Sequence, residues 1–175
     1  DLTVDKDYIR KHYQVMAEAL ISQFLSKVSG KSEVFMYHEV IPGVVVGGSI
    51  DLLCPTEIVD YKTTSANHAP TAVKREYWFQ QMCYAWMAKK KGINIERFRL
   101  VYVTTNDVNR GLSESGRRLT DYPTEVASVV HTITPSDLEI IDGVIHLVAE
   151  SVAMYKSNPK MRHLLAQDMR LKEAV

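Results

Sequence analysis

Cysteine and long hydrophobic runs are both scarce in this sequence. Its 175 residues include two cysteines, Cys54 and Cys83, which do not form a C-x-x-C pair. Each stands among apolar neighbours, which favours buried free thiols in a reducing compartment over a metal or disulfide site. No apolar run approaches the roughly 18–20 residues that cross a bilayer, and no signal-peptide pattern opens the chain. A membrane association is therefore not expected.

The sequence also lacks an excess of charge of either sign. Lys plus Arg number 21 and Asp plus Glu number 21, so the formal net charge is zero. This balance neither indicates nor excludes nucleic-acid binding, because acidic and basic surfaces cancel in the sum. Apolar residues make up 46% and charged residues 24%, as in ordinary globular proteins. Because no repeat or linker is visible, we expect residues 1–175 to form one domain, trimmed from or part of a longer chain since it begins at Asp1.

Hydrophobic spacing predicts a chain that alternates between helices and strands. Apolar residues at three- and four-residue spacing predict helices over 5–28, 72–91, 135–156 and 159–172. Alternating or fully apolar segments predict strands over 33–41, 44–53, 57–63, 98–104 and 125–132. Polar stretches at 64–71 and 105–122 are predicted loops. This order, with its first three strands antiparallel, predicts a sheet that is covered by helices on both faces.

Two aspartates lie on either side of a predicted tight turn. With the turn centred between Pro55 and Thr56, the flanking strands form a hairpin in which Asp51 falls opposite Asp60. Facing residues of an antiparallel pair have Cβ atoms about 4.5–5.5 Å apart. Two carboxylates that close repel each other in so apolar a segment unless a cation lies between them. Because Mg²⁺ and Mn²⁺ prefer oxygen ligands, the pattern predicts a divalent-metal site.

Lys62 is predicted to face the same site. Alternation along a strand puts Asp60 and Lys62 on one face and Tyr61 on the other. The ammonium would then orient a nucleophilic water and stabilise charge that develops on a phosphate. The alternative is a structural Asp–Lys ion pair at a hairpin, because a D-x-K triplet alone is common. An acid nine residues earlier, following Gly47-Gly48, favours the functional interpretation.

The second predicted helix carries a polar group among aromatic residues. Tyr77, Gln80 and Tyr84 are three and four residues apart, so they lie on one face of this helix. A buried glutamine needs partners for its amide, which a metal-bound water or a phosphate would supply. The alternative is a core glutamine bonded to backbone between two packing tyrosines.

These three segments together resemble a known family. The patterns are G-x-I-D at 48–51, h-h-D-Y-K-T at 58–63 (h, apolar) and Y-x-x-Q-x-x-x-Y at 77–84. They look like the motifs of the PD-(D/E)XK nuclease superfamily, and within it of the RecB-type branch. That branch includes phage recombination exonucleases and mitochondrial genome-maintenance exonucleases. The motif core spans residues 48–84, and the order of elements extends the similarity to about residue 105.

The resemblance implies a fold and an activity. The implied fold is a three-layer α/β/α sandwich with a central mixed sheet, of the restriction-endonuclease-like type. The implied activity is metal-dependent hydrolysis of phosphodiester bonds from DNA ends, in recombination, repair or replication, leaving a 5′-phosphate and a 3′-hydroxyl. Two alternatives stay open: an endonuclease of the same superfamily, and a non-catalytic DNA-binding or assembly subunit that has kept the fold.

Roles for individual residues also come from the resemblance. It implies that Mg²⁺ or Mn²⁺ is held by Asp51, Asp60 and the backbone carbonyl of Tyr61. Lys62 would be the catalytic lysine, and Gln80 and Tyr84 would support the site and the DNA end. The implied catalytic set is thus Asp51, Asp60, Lys62, Gln80 and Tyr84.

Members of this branch take a further Glu or His ligand from the first helix. Glu18 is the first candidate here, because it stands among apolar residues. His12 is the second candidate, although the branch often has a Gly-x-x-x-His signature and Tyr8 occupies the glycine position. His38 and Glu39 on the first strand are less favoured. For each of these residues, a surface or core role is the alternative.

Basic and aromatic residues near the predicted site could contact the DNA backbone. The candidates are Tyr77, Lys74, Arg75, Arg110, Arg117 and Arg118, and the alternative for the last three is an ordinary solvated loop. We expect DNA with a free end as the substrate, and the sequence leaves open a homo-oligomer or a recombination or replication protein as partner. The expected location is the cytoplasm of a bacterium or a phage-infected host, or else an organelle matrix.

Overall fold

A computed structural model gives the fold and describes residues 6–64, 68–104, 124–158 and 160, with side chains from residue 13 onward. Its elements lie close to the predicted ones. The predicted loop 105–122 and, apart from residue 160, the predicted helix 159–172 lie outside the described residues. The helices and strands are α1 (Lys6–Gln23), β1 (Lys31–Ile41), β2 (Val44–Leu53), β3 (Glu57–Thr64), α2 (Arg75–Lys90), β4 (Arg97–Thr104), β5 (Val126–Thr132) and α3 (Pro135–Ser157).

The five strands form one mixed sheet in the order β1-β2-β3-β4-β5. The first three strands are antiparallel, β3 and β4 are parallel, and β5 is antiparallel to β4. A parallel pair needs a crossover, which α2 supplies between β3 and β4. The predicted α/β fold with a mixed central sheet is confirmed. No helix among the described residues is long and apolar enough to cross a bilayer.

Helices cover both faces of the sheet and enclose two cores. The larger core lies under α2 and α3 and includes the fully buried Trp86 and Phe98. The smaller core lies under α1, where Leu20 and Phe24 pack against Val59 and its neighbours. The two thiols are free as predicted, but both are half-buried rather than buried. The strands that carry Asp51 and Asp60 therefore belong to the middle layer of three, with helices on both sides.

The first helix is shorter than its predicted range of 5–28. It ends at Gln23, and a 3-10 turn follows at Leu25–Lys27. Phe24, between the two, has φ −128° and ψ −62°, outside the helical region. Its ring meets the Tyr61 ring edge-on with centroids 6.4 Å apart. Packing of Phe24 and Leu25 into the smaller core thus replaces the last predicted turn of helix, because tertiary contacts outweigh local propensity.

The sheet splits between β2 and β3. These strands pair only at Leu53–Ile58 and Leu52–Val59, whereas β1 and β2 stay paired from Lys31–Leu53 to the turn at Ile41–Val44. We call the part of β1 and β2 that extends beyond the split, residues 34–50, the hairpin arm. The site predicted at Asp51 therefore lies where the arm leaves the main sheet.

A bend in β1 accompanies this split. Glu33 lies between the Ser32–Leu52 and Val34–Ile50 pairs, opposite Asp51, and has φ +53°. A side chain in this left-handed region costs about 1 kcal/mol or more, so the bend is a strained feature. It coincides with a change of side: Leu52 packs in the smaller core and Ile50 in the larger one.

Buried Glu57 ties the short β2–β3 hairpin to β4. Its Oε1 accepts a hydrogen bond from Arg99 Nε at 2.8 Å and lies 3.4 Å from Arg97 Nε. Glu57 is 7% exposed, so its charge is compensated mainly by these two guanidinium groups. Since β2 and β3 share few backbone pairs, this ion pair stabilises the base of the hairpin.

We expect Glu57→Ala to lower the free energy of unfolding by about 2 kcal/mol, because it leaves charged donors without their partner. Urea denaturation measures the loss, and Glu96→Ala is the matched control, since the exposed Glu96 directly precedes β4. Equal losses in the two variants would show that the ion pair does not stabilise the hairpin.

Candidate active site

The predicted hairpin register brings Asp51 and Asp60 together. The pairs Leu53–Ile58 and Leu52–Val59 are those expected from a turn centred between Pro55 and Thr56. The ladder ends at the Leu52–Val59 pair, so Asp51 and Asp60, which would come next, are not a regular backbone pair. Asp51 Oδ2 instead accepts a hydrogen bond from the Tyr61 N–H at 2.9 Å. The Asp51 carboxylate is thereby fixed at the split between the arm and the sheet.

Asp60 is a buried carboxylate beside the Lys62 ammonium. It is 3% exposed, and its Oδ2 lies 2.7 Å from Lys62 Nζ. The ammonium approaches outside the angles of a regular hydrogen bond, so this buried oxygen lacks an aligned donor among the described residues. Burial raises the pKa of Asp60 and the Asp51 charge adds to the rise, while Lys62 and Gln81 oppose it. The balance of these effects makes the charged form costly in the absence of a further cation.

The second helix holds Lys62 in place. Lys62 Nζ donates to Gln80 Oε1 at 3.3 Å, and Gln80 Nε2 donates to the Tyr84 hydroxyl at 3.2 Å. The same ammonium lies 4.8 Å from the centroid of the Tyr77 ring, a cation–π distance. The three residues predicted to share one face of α2 therefore form a row that ends on the lysine.

Gly48 makes room for this row. A Cβ at Gly48 would lie 2.7 Å from Tyr84 Cε1, closer than carbon atoms approach without displacement. The two glycines do not form a bulge, because β1 and β2 are paired regularly at both Gly47 and Gly48. The glycine in the G-x-I-D pattern thus allows α2 to reach the arm.

Two buried polar residues at the site escaped the sequence analysis. Gln81 is fully buried, and neither amide atom has a regular hydrogen bond within the described part of the chain. Tyr102, which is paired with Lys62 across β3 and β4, is 2% exposed. Its hydroxyl also has no regular hydrogen bond among the described residues. Burial raises the pKa of Tyr102, and the charges of Tyr77, Asp60 and Glu76 add to the rise.

The sequence contains a pattern that could have indicated one of these two residues, Gln81. Gln81 is spaced at three and four residues from Trp78 and Ala85, so it falls on the buried side of α2. No such pattern indicates Tyr102, because its place beside Lys62 depends on the parallel register of β3 and β4.

The oxygen atoms at this site suit a hard divalent cation. Asp60 contributes a buried oxygen without an aligned donor, and Asp51 a carboxylate that is anchored on one side. The Tyr61 N–H points toward Asp51, and the N–H and C=O of one residue point the same way in an extended strand. The Tyr61 carbonyl is therefore on the Asp51 side as well. Two carboxylates and a carbonyl are donors that Mg²⁺ or Mn²⁺ accepts.

A third side-chain ligand is not brought to the site by the described residues, which contain no group of three or more His, Cys, Asp or Glu that could hold a metal. Glu18 is exposed and accepts a hydrogen bond from Gln14 at 2.8 Å. The side chain of His12 lies outside the described part. His38 packs edge-on against Trp86 at 5.1 Å, and Glu39 accepts from the Gly43 N–H at 2.8 Å. The helix-borne ligand stays a prediction.

The predicted DNA contacts fall into two groups. Lys74 and Arg75 are exposed where α2 begins, and Lys74 Nζ lies 5.9 Å from the centroid of the same Tyr77 ring that Lys62 contacts. The loop arginines lie outside the described residues and are Arg110, Arg117 and Arg118. Two exposed basic side chains therefore lie at the start of α2, and one of them contacts the same ring as Lys62.

The raised pKa of Asp60 leads to a pH-dependent stability. A carboxyl whose pKa is higher in the folded state favours folding when protonated, so it costs stability as the pH rises through the folded value. With chelator present, we expect Asp60→Asn to be more stable than the wild type at pH 7 and equal to it near pH 3. Urea denaturation at both pH values measures this difference.

Asp142→Asn is the control of opposite sign. The Trp86 indole donates to Asp142 Oδ1 at 2.6 Å, and this hydrogen bond lowers the pKa of Asp142. Its charged form therefore stabilises the fold above the unfolded pKa, and this is lost as the pH falls. Asp142→Asn should lose stability at neutral pH. A loss of the same sign for Asp60→Asn would contradict the interpretation of the Asp60 site.

Comparisons with known proteins give a family match and two similar folds. A sequence model of the PD-(D/E)XK nuclease superfamily matches residues 1–167, whereas no curated protein gives a significant match. The fold is similar to that of a candidate exonuclease from Eubacterium rectale, with TM-score 0.56, 16% identity, and coverage of 87% of this chain and 59% of that one. It is also similar to a phage-related exonuclease from Haemophilus somnus 129PT, with TM-score 0.51, 11% identity, and coverage of 97% and 76%. Because the family match spans most of the sequence, the chain belongs to the PD-(D/E)XK nuclease superfamily.

Proposed function

We propose that this protein is a divalent-metal-dependent deoxyribonuclease that hydrolyses phosphodiester bonds from DNA ends. The observation that carries the proposal is the Lys62 ammonium, 2.7 Å from the buried Asp60 carboxylate. A structural ion pair does not need Asp51 to be anchored beside it, nor a helix that directs Gln80 onto the lysine. Two carboxylates and a lysine ammonium brought together in this way are the groups that metal-assisted phosphodiester hydrolysis uses.

The metal would be held by Asp51, Asp60 and the Tyr61 carbonyl. Bound there, Mg²⁺ or Mn²⁺ would supply a water of lowered pKa and would stabilise charge on the phosphate oxygens. The chain itself excludes solvent from the Asp60 carboxylate, which is buried, and partly neutralises its charge with the Lys62 ammonium.

Lys62 would orient the nucleophile. An ammonium has three N–H donors. One is donated to Gln80, while Asp60 Oδ2 lies 2.7 Å from Nζ and the centroid of the Tyr77 ring lies 4.8 Å away. A remaining donor can hold a water or a phosphate oxygen, where it would stabilise the developing negative charge. Tyr84 fixes the Gln80 amide and so the direction of the ammonium.

The choice of a DNA end as substrate rests on two supports. The RecB-type pattern is one, and the exonuclease names of the two similar structures are the other. Both concern relatives, so the preference for ends needs its own experiment.

We expect Asp60→Ala and Lys62→Ala each to lower Mg²⁺-dependent degradation of linear DNA at least about 100-fold, as for the loss of one preorganised charge at a reacting phosphate. The measurement is release of acid-soluble nucleotide from end-labelled DNA. Lys89→Ala is the matched control, because Lys89 is an exposed lysine on the same helix α2. Circular dichroism should show that all three variants are folded. Undiminished DNA degradation by both Asp60→Ala and Lys62→Ala would show that the nuclease assignment is wrong.

Linear and covalently closed circular DNA of one sequence separate an exonuclease from an endonuclease. With Mg²⁺ or Mn²⁺ we expect the linear form to be degraded and the circle to stay intact, because a circle presents no end. Chelator should stop the reaction on the linear form. Linearisation of the circle would instead assign an endonuclease of the same superfamily.

A further inference from the structure

Two aromatic rings stand exposed on the hairpin arm. Phe35 is 68% and Tyr37 58% exposed, and their ring centroids are 6.3 Å apart. Alternate residues of a strand share a face, so both rings lie on one face of β1. Neighbouring exposed aromatic side chains are costly for a soluble surface and commonly mark a binding site.

The rings lie on the face of the arm opposite to Tyr84 of α2. A Cβ at Gly47 would lie 3.3 Å from Tyr37 Cβ and 3.6 Å from Phe35 Cζ, whereas one at Gly48 would meet Tyr84 of α2. Successive residues of a strand point to opposite faces. Gly47 therefore belongs to the face that carries the rings, and Gly48 to the face of the catalytic lysine.

The neighbours of the rings are small. Across the β1–β2 ladder, Phe35 is paired with Ser49 and Tyr37 with Gly47. No bulky side chain of β2 rises between the rings at these positions, so the rings can lie low over the arm. This arrangement gives an exposed aromatic surface in which the two ring planes meet at 35°. We call it the aromatic platform and define it as Phe35, Tyr37 and the neighbouring Gly47.

A positive charge borders the platform. Lys91 Nζ lies 5.0 Å from the centroid of the Tyr37 ring, and Lys91 is exposed. Of the acids at alternate positions to the rings in β1, Glu39 accepts a hydrogen bond from the Gly43 N–H in the turn, and Glu33 lies at the bend at the other end of the arm. The edge of the platform near Tyr37 therefore combines a ring with a cation that a phosphate can reach.

The platform is also close to the active centre. Ser49, which pairs with Phe35, is two residues from Asp51, a distance of about 7 Å along a strand. Two stacked nucleotides rise by about the same length. The arm leaves the main sheet between these points, because β2 and β3 are paired only up to Leu52–Val59. Because the rings and Lys62 lie on opposite faces of the arm, a DNA strand that contacts both would pass through this split.

We propose that the aromatic platform binds unpaired bases of a DNA strand next to the cleavage site, which rests on the function proposed above. Rings beside a cation are the combination on which single-stranded nucleic acids stack, because every base has a π-face and a neighbouring phosphate. The platform would hold the strand in register with Asp51 and Asp60. An aliphatic protein partner would need neither the planar rings nor the Lys91 ammonium.

Binding of single-stranded DNA that carries 2-aminopurine tests this site. The full chain is titrated into the DNA with chelator present, so that no cleavage occurs, and stacking is read as quenching of 2-aminopurine fluorescence. We expect the double variant Phe35→Ala/Tyr37→Ala to bind about 10- to 100-fold more weakly and to lose the quenching, as for the loss of one or two base–aromatic stacks.

Three variants serve as controls. Phe35→Tyr/Tyr37→Phe keeps both rings and should retain wild-type quenching. Phe35→Leu/Tyr37→Leu keeps an apolar surface without rings and should lose it, which separates stacking from general hydrophobic contact. Leu147→Ala removes an exposed apolar side chain of α3, outside the arm, and should leave binding unchanged.

The outcomes distinguish this inference from the proposed function. If Lys62→Ala abolishes cleavage and the platform variants bind DNA as the wild type does, the platform proposal is wrong and the nuclease assignment holds. If the leucine pair binds like the wild type, or if the alanine pair changes the oligomeric state in analytical ultracentrifugation without changing quenching, the face is a protein interface and the proposal is overturned. A wild-type chain that neither binds nor cleaves DNA overturns both.

Discussion

A single hydrogen bond, from the Tyr61 N–H to Asp51 Oδ2, stands where the β2–β3 ladder would otherwise continue. A buried backbone N–H needs an acceptor, and here a side chain supplies it in place of the facing strand. The strands can therefore separate without leaving that donor unpaired. The same bond fixes the Asp51 carboxylate and keeps the Tyr61 carbonyl on its side. The split of the sheet, the orientation of one acid and the direction of the carbonyl thus have one common origin.

The site that this bond creates is costly to the folded state. Asp60 is buried with a raised pKa, and neither the Gln81 amide nor the Tyr102 hydroxyl has a regular hydrogen bond among the described residues. Buried polar groups without partners are rare in folded proteins because each one loses its contacts with water. The larger core offsets this cost, with Trp86 and Phe98 fully buried in it. Such clusters are expected where a bound group completes the contacts during function.

Local sequence predicted the strands and the hairpin register well, since both depend on neighbours along the chain. The pairs on either side of the turn follow from its centre, and Lys62 and Gln80 follow from strand and helix periods. Three features could not be predicted in this way. The bend at Glu33, the early end of α1 at Gln23 and the place of Tyr102 each depend on contacts between distant segments. The predicted helix-borne metal ligand would have the same dependence, because the packing of α1 on the sheet decides which of its side chains lies near Asp51.

The segment from Gly47 to Asp51 joins these features through the two-residue period of a strand. Gly47 accommodates the rings on one face, Gly48 accommodates Tyr84 on the other, and Asp51 binds the Tyr61 N–H at the split. A shift of one residue would exchange the faces and bring Tyr84 against the wrong position. The spacing between the glycines and the aspartate is therefore set by geometry on both sides of the arm. For this reason the G-x-I-D pattern is informative: it fixes where the helix, the arm and the acid meet.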